Sequence, residues 1–417
     1  MNFDTLIIGG GLAGLVCAIR LQKKGQRVAV VSAGQSALHF SSGSFDLLSY
    51  DAEGNMITDP IEAVTHLNDT HPYHKLGSYF KTYSEKAPEF LRKIGISVEG
   101  FPTRNHFRYT PMGTLRPTWL TFSELATAQA YNEYPKGKTV ILNFDGFLDF
   151  NTQFIASEFL KAGQLCDVKL IEVENIENLR LSPTEMRASN IAKAIEYDDT
   201  FNQVVEQINL LSKGYNHVVL PAVFGFKDSK VVKKLKEQVK VDMLLLPTMP
   251  PSVPGVRTQM NLRKTFEELG GTFFMGDNIQ NSEVSNYEVT CVYSENHTDI
   301  PITAKNFVLA TGHMFSDGIV ANNERFFEPI FDADVDFLEG RENWYSKDVF
   351  GKHNYATFGV ATDHEFHVFS NGQHFKNLYA IGSILSGANS LKEGSGAGVS
   401  ILTALYVADR ILEGEKK

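Results

Sequence analysis

The chain has 417 residues, 43% hydrophobic and 21% charged, with a formal net charge of -10 and three cysteines. That length allows two or three domains around a sizeable core. The acidic balance argues against a nucleic-acid partner and supplies no polybasic membrane anchor.

Cys17, Cys166 and Cys291 lie far apart and form no CxxC, so no disulfide frame, zinc site, iron–sulfur cluster or other metal is expected. No apolar run approaches a bilayer span, since the run at 243–246 is stopped by Pro247. No basic leader precedes the first apolar stretch, which predicts a cytoplasmic location.

Residues 3–8 read as a short apolar strand, followed at once by Gly9-Gly10-Gly11-Leu12-Ala13-Gly14. A helical pattern then runs to a stop at Gly25, and a second β-branched strand covers 27–31. Strand, glycine turn, helix and strand in this order make the dinucleotide-binding unit. Gly9 allows the tight turn, Gly11 admits a phosphate to the backbone, and Gly14 lets the helix pack on the strand. The helix start at Leu12 and Ala13 offers free N–H groups and partial positive charge. The second strand usually ends in an acidic residue that binds the adenosine ribose. Ser32 stands there instead. Either Ser32 bonds a ribose weakly, or the nucleotide has no adenosine half. The second reading predicts FMN, with FAD as the alternative.

The next stretch is rich in small donors: His39, Ser41, Ser42, Gly43 and Ser44. It starts where ligands of such sheets bind, so it is expected to line cofactor or substrate. Residues 78–94 predict an amphipathic helix. In 110–120, Gly113 and two prolines bend the backbone around Arg116, beside Trp119. Arg116 is either packed on an aromatic ring or is an anion clamp. Strands at 138–143, 168–173, 216–220 and 243–246 alternate with helices, including 152–161 and one opening at Thr184; this is an α/β insertion. Four prolines and Gly255 then predict a rigid crossing, a domain junction, with Arg257 opening the helix 258–269.

Short strands occupy 272–275, 287–293 and 305–309, the last ending in Ala310-Thr311-Gly312. A strand at 377–383 carries Gly382 and Ser383, and Glu393-Gly394-Ser395-Gly396-Ala397-Gly398 opens a terminal helix. These ends resemble the flavoprotein segments in which small residues pass the nucleotide, an Ala-x-Gly-Asp strand bonds the ribityl chain, and a helix start faces the isoalloxazine. Ser383 replaces that aspartate. The predicted fold is α/β, a two-dinucleotide-binding-domain, Rossmann-like flavoprotein. Its flavin domain is discontinuous (1–50 and 255–417), with an inserted α/β cap domain at 51–254.

The glycine turn, Ser41-Ser42-Gly43-Ser44, Gly113-Thr114-Leu115-Arg116-Pro117-Thr118-Trp119, Leu246-Pro247-Thr248-Met249-Pro250-Pro251-Ser252 and Phe358-Gly359-Val360-Ala361-Thr362-Asp363 together resemble the B subunit family of anaerobic glycerol-3-phosphate dehydrogenase. The resemblance implies one subunit of a three-part complex, with a flavin-containing A subunit and an iron–sulfur C subunit that docks the pair on the inner face of the membrane. It implies oxidation of sn-glycerol 3-phosphate to dihydroxyacetone phosphate, electrons passing to quinone for fumarate or nitrate respiration, and FMN in this subunit. Two roles are open. In one the chain is catalytic, with His39 as base and Arg116 and Arg257 holding the phosphate. In the other it relays electrons and supports assembly. A flavin reductase of the fumarate-reductase type is a more distant reading.

Overall fold

The computed structural model describes residues 1–101, 103–182 and 186–414. An eight-stranded sheet organises the flavin-binding ends of the chain. Strand β1 (Asn2–Ile8) pairs in parallel with β2 (Val28–Ser32) on one side and with the long strand His297–Leu309 on the other. Thr272–Met275 adds to β2, and Gln373–Ala380 adds to His297–Leu309, both parallel. Ile279–Ser285 and Glu288–Ser294 form an antiparallel extension. The central strands are apolar on both faces, as buried parallel strands must be; Leu6, Ile7, Val30, Val308 and Leu378 are fully buried.

The register sets the position of everything downstream. Ile8 pairs with Val31 and with Leu309, Val31 with Phe274, and Leu309 with Ala380. The strands therefore end on one line, and Gly9, Ser32, Ala310 and Ile381 are the residues that step beyond it.

Helix α1 (Leu12–Gln22) covers one face of this sheet with the terminal helix Gly396–Gly414 beside it; Arg20 ties the two through Asp409 at 2.8 Å. A second, four-stranded parallel sheet is built from Thr139–Phe144, Cys166–Ile171, His217–Pro221 and Asp242–Leu246. Two three-stranded antiparallel sheets fill the space between, one joining Ser44–Phe45 to Leu120–Phe122 and Val98–Gly100, the other joining His106–Tyr109 to Leu115–Thr118 and Thr127–Ala128.

Two expected boundaries move. Pro254 and Gly255 are not a linker: Ser252 caps a helix that spans Val253–Glu268, its Oγ accepting from the Gly255 N–H at 3.1 Å. Proline is favoured in a first turn because its missing N–H would be unpaired there anyway. Arg257 thus sits inside the helix rather than opening it. The helix expected from Thr184 runs Ala188–Ile195; Thr184 and Glu185 lie outside the described residues.

Gly14 carries the packing of α1 on the sheet. A Cβ there would fall on the Gly9 carbonyl oxygen and press Ile7. Gly14→Ala is expected to lower stability by about 1–3 kcal/mol, the usual cost of overpacking. Urea unfolding of the flavin-free chain measures it; an unchanged midpoint would show that the close contact does not exist.

Candidate functional site

A cavity of about 940 Å³ opens along the line where the parallel strands end. Gly9, Gly10, Gly11, Leu12 and Ala13 form its waist. At one end it is walled by Ser32, Gln35, Asp277, Asn278 and Gln280, at the edge of β2. At the other it meets Ser44, Thr311, Gly312, Ser383, Gly396 and Ala397. Two helix starts face it, that of α1 and that of Gly396–Gly414.

The waist suits a nucleotide phosphate. Gly11 is the N-cap of α1 and offers no side-chain acceptor, so the first-turn N–H groups are left for a ligand. Its φ of -82° suits any residue, and a Cβ there would touch nothing nearer than Ser36 at 3.7 Å. Gly11 therefore keeps space open for a ligand, not for the protein. Gly9, by contrast, has φ +120°, and its neighbour across the turn is the Ala310 carbonyl. Thr311, on the cavity wall, has a buried Oγ1 with no hydrogen-bond partner. That orphaned hydroxyl is the kind of group that a bound ligand satisfies.

An FAD binding domain profile matches residues 4–399. The B subunit of anaerobic glycerol-3-phosphate dehydrogenase from Yersinia enterocolitica is 39% identical, covering 99% of this chain and 98% of that one. The corresponding protein of Pectobacterium atrosepticum is 38% identical over 99% of both chains. The chain belongs to the family of anaerobic glycerol-3-phosphate dehydrogenase B subunits. The FAD-binding profile makes the cavity a flavin site. A quinol fumarate reductase chain of Escherichia coli aligns over 99% of this chain and 70% of its own, with a TM-score of 0.46 and 11% identity.

Of the expected cofactor residues in this family member, Gly9, Gly11, Leu12, Ala13, Ser32, Ser41, Ser44, Thr311, Gly312, Ser383, Gly396 and Ala397 line the cavity. Gly14, Ser42, Gly43, Gly382 and Gly394 lie off its walls. Gly43 and Gly382 have positive φ, and a Cβ would strike Leu125 and Ala13 respectively. Gly394 is also left-handed, and its open side faces Ser49 and the Arg116 guanidinium. The sequence pattern did not pick out the wall at 277–280, because it comes from a strand connection with no glycine signature.

His39 sits on a single 3-10 turn, Ala37–Phe40, whose residues Ala37 and Leu38 touch the cavity. Its side chain is half-buried and has no hydrogen-bond partner among the described residues; burial holds the imidazole below its ordinary value, so it is neutral at neutral pH. On the other flank of the cavity His313 is also held low by burial, but its Nε2 bonds the Phe358 carbonyl at 3.0 Å. A buried pair that the sequence did not reveal lies nearby. His71 accepts from the Tyr73 N–H through Nδ1, so its Nε2–H donates to Glu393 at 3.2 Å.

The two expected phosphate arginines part company. Arg257 is 6% exposed, contacts the Glu124 carboxylate directly, and donates to the carbonyls of Phe224 and Gly225. Burial lowers its guanidinium to about 10, which leaves it charged at neutral pH beside Glu124. Arg116 stacks over Tyr50, its Cζ 5.1 Å from the ring centroid. Its Nε is buried without a hydrogen-bond partner.

This geometry makes two outcomes measurable. Gly11→Val should fold normally yet lose its flavin, because the new side chain projects into empty space; flavin absorbance per protein reads this, and full retention would remove the waist from the site. Arg257→Met should destabilise the chain by about 3–5 kcal/mol, since it leaves Glu124 as an uncompensated buried charge. Denaturant unfolding measures that cost, and an unchanged stability would mean the pair is not buried as described.

Proposed function

We propose that the chain is the flavin-bearing B subunit of a glycerol-3-phosphate dehydrogenase, oxidising sn-glycerol 3-phosphate to dihydroxyacetone phosphate and passing electrons towards quinone. The observation that carries this reading is the cavity itself, with Arg116 reaching towards its Ser44 and Gly396 end. Near-full-length similarity to B subunits of that name supports it. By the same names, A and C subunits are the expected partners, with the C subunit holding the complex at the inner face of the membrane. No helix among the described residues is long and apolar enough to cross a membrane, so a docking partner would supply that contact.

The proposed resident flavin is FAD rather than FMN. The cavity does not stop at the waist but runs on to Ser32, Gln35 and 277–280, where the adenosine half of a dinucleotide lies in this fold. Without a carboxylate at Ser32, the ribose would be held by the serine hydroxyl and by Asn278 or Gln280. Gly9 to Ala13 and the α1 N-terminus would hold the pyrophosphate, and Ser383 and Thr311 the ribityl hydroxyls. Bound there, a flavin supplies a two-electron acceptor.

The chain's own residues do the rest. Arg116 binds the substrate phosphate and so orients carbon 2. His39, neutral and unpaired, is the proposed acceptor of the hydroxyl proton. Segments Ser36 to Ser44 and Ser390 to Gly396 exclude water from that end.

Chromatography of the acid-released cofactor should show FAD; a clean FMN peak would overturn the dinucleotide reading. Anaerobic glycerol 3-phosphate added to the flavin-loaded chain should bleach the visible flavin band, and His39→Gln should slow bleaching by about 10²–10⁴-fold without loss of flavin. If the wild-type chain does not bleach while the assembled complex turns over, the chain relays electrons and a partner does the oxidation.

A further inference from the structure

The strand pair His106–Tyr109 and Leu115–Thr118 places Arg108 directly opposite Arg116 in an antiparallel register. Opposed residues of such a pair share a face of the sheet, and like charges there repel. Burial makes this worse. Arg108 is 6% exposed, and its Nε and Nη1 are buried with no hydrogen-bond partner, as is the Arg116 Nε. Burial and the neighbouring Arg116 both hold the Arg108 guanidinium below its ordinary value.

The charges around the pair do not balance. Asp46 is the nearest carboxylate, but its Oδ1 is 3.8 Å from the Arg108 Nε and already accepts from Thr118 and Ser44. Glu393, next to Gly394, is turned to His71, Ser395 and the Asn389 N–H. Two guanidinium groups thus face one shared carboxylate. Unpaired buried N–H groups and net positive charge in one place are both relieved by a single anion with several oxygens. The place is also right: Ser44 belongs both to the flavin cavity and to the Asp46 hydrogen bonds, and Gly394, two residues from the cavity wall at Gly396, leaves room for the Arg116 head.

We infer that Arg108 and Arg116 together form a receptor for a phosphate dianion, with Asp46 positioning Arg108 and Tyr50 backing Arg116. Arg108 is the buried anchor and Arg116 the half-exposed gate. As a receptor for the substrate's phosphate, this rests on the reading that the substrate is glycerol 3-phosphate; as an anion receptor it does not.

The experiment uses the full flavin-loaded chain, with inorganic phosphate as probe in equilibrium dialysis and in thermal unfolding. Phosphate should bind the wild type and raise its unfolding temperature. Arg108→Gln and Arg116→Gln should each weaken binding by roughly ten- to a hundredfold, the cost of one charged hydrogen-bonding partner. Arg263→Gln, on an exposed helix face, should bind as the wild type does. Should Arg108→Gln fail to fold, Arg108→Lys keeps the charge but loses the forked donors, and should bind phosphate at intermediate strength. Unchanged phosphate binding in a folded Arg108 variant overturns the receptor. Competition by glycerol 3-phosphate separates the two readings. If the ester fails to displace phosphate from an Arg108-dependent site, the receptor stands and the substrate assignment falls. If Arg108→Gln is bleached by the ester with unaltered saturation, the receptor falls and the substrate assignment stands.

Discussion

The molecule depends on a line of backbone pairing. Phe274, Val31, Ile8, Leu309 and Ala380 stand side by side across five parallel strands, drawn from positions spread over most of the chain. Because the register is held by buried apolar residues on both faces, a one-residue slip would put each residue beyond the line out of place. Three of the residues just past it are small, Gly9, Ser32 and Ala310, and Ile381 is the fourth. The cavity is the space those small residues leave, and two helix starts supply its N–H groups.

Much of this was legible. The glycine turn, the strand ending in Ala310, and the glycine-rich start of the terminal helix each carry a local signal that only a close approach of backbone explains. The uses of individual glycines were less legible, since glycine marks either a ligand or a protein atom that comes too close. Gly11 is spared a side chain by open space; Gly14, Gly43 and Gly382 are spared one by Gly9, Leu125 and Ala13. Gly394 fits neither group, since it yields to the Arg116 guanidinium. Only the neighbours distinguish these cases, and the neighbours are remote in sequence.

Arginine poses the same difficulty. Arg116, Arg257 and Arg108 are all largely buried or half-buried, yet their surroundings differ in charge. Arg257 has Glu124 and two carbonyls to itself. Arg108 must share Asp46 with two hydroxyls and faces another cation. The stretch around Arg116 stood out because prolines and a glycine shape it, whereas Arg108 sits in an ordinary alternating strand and gains its meaning from the strand opposite. A local reading finds unusual backbone; it does not find unbalanced charge.

The capped helix at Ser252 has a consequence of another kind. Its Oγ donates to the Ser41 carbonyl at 2.5 Å, its N–H bonds the His39 carbonyl, and Gly255 lies against Leu38, so positions 211 apart in the chain are in contact. The chain leaves the first sheet and returns to it through one narrow neck. A segment whose ends already touch can lengthen, shorten or be exchanged at a loop-closure cost that grows only slowly with its length. The neck therefore uncouples the history of the two sheets: the nucleotide-binding frame can keep its register while the material above it is rebuilt for a different small molecule.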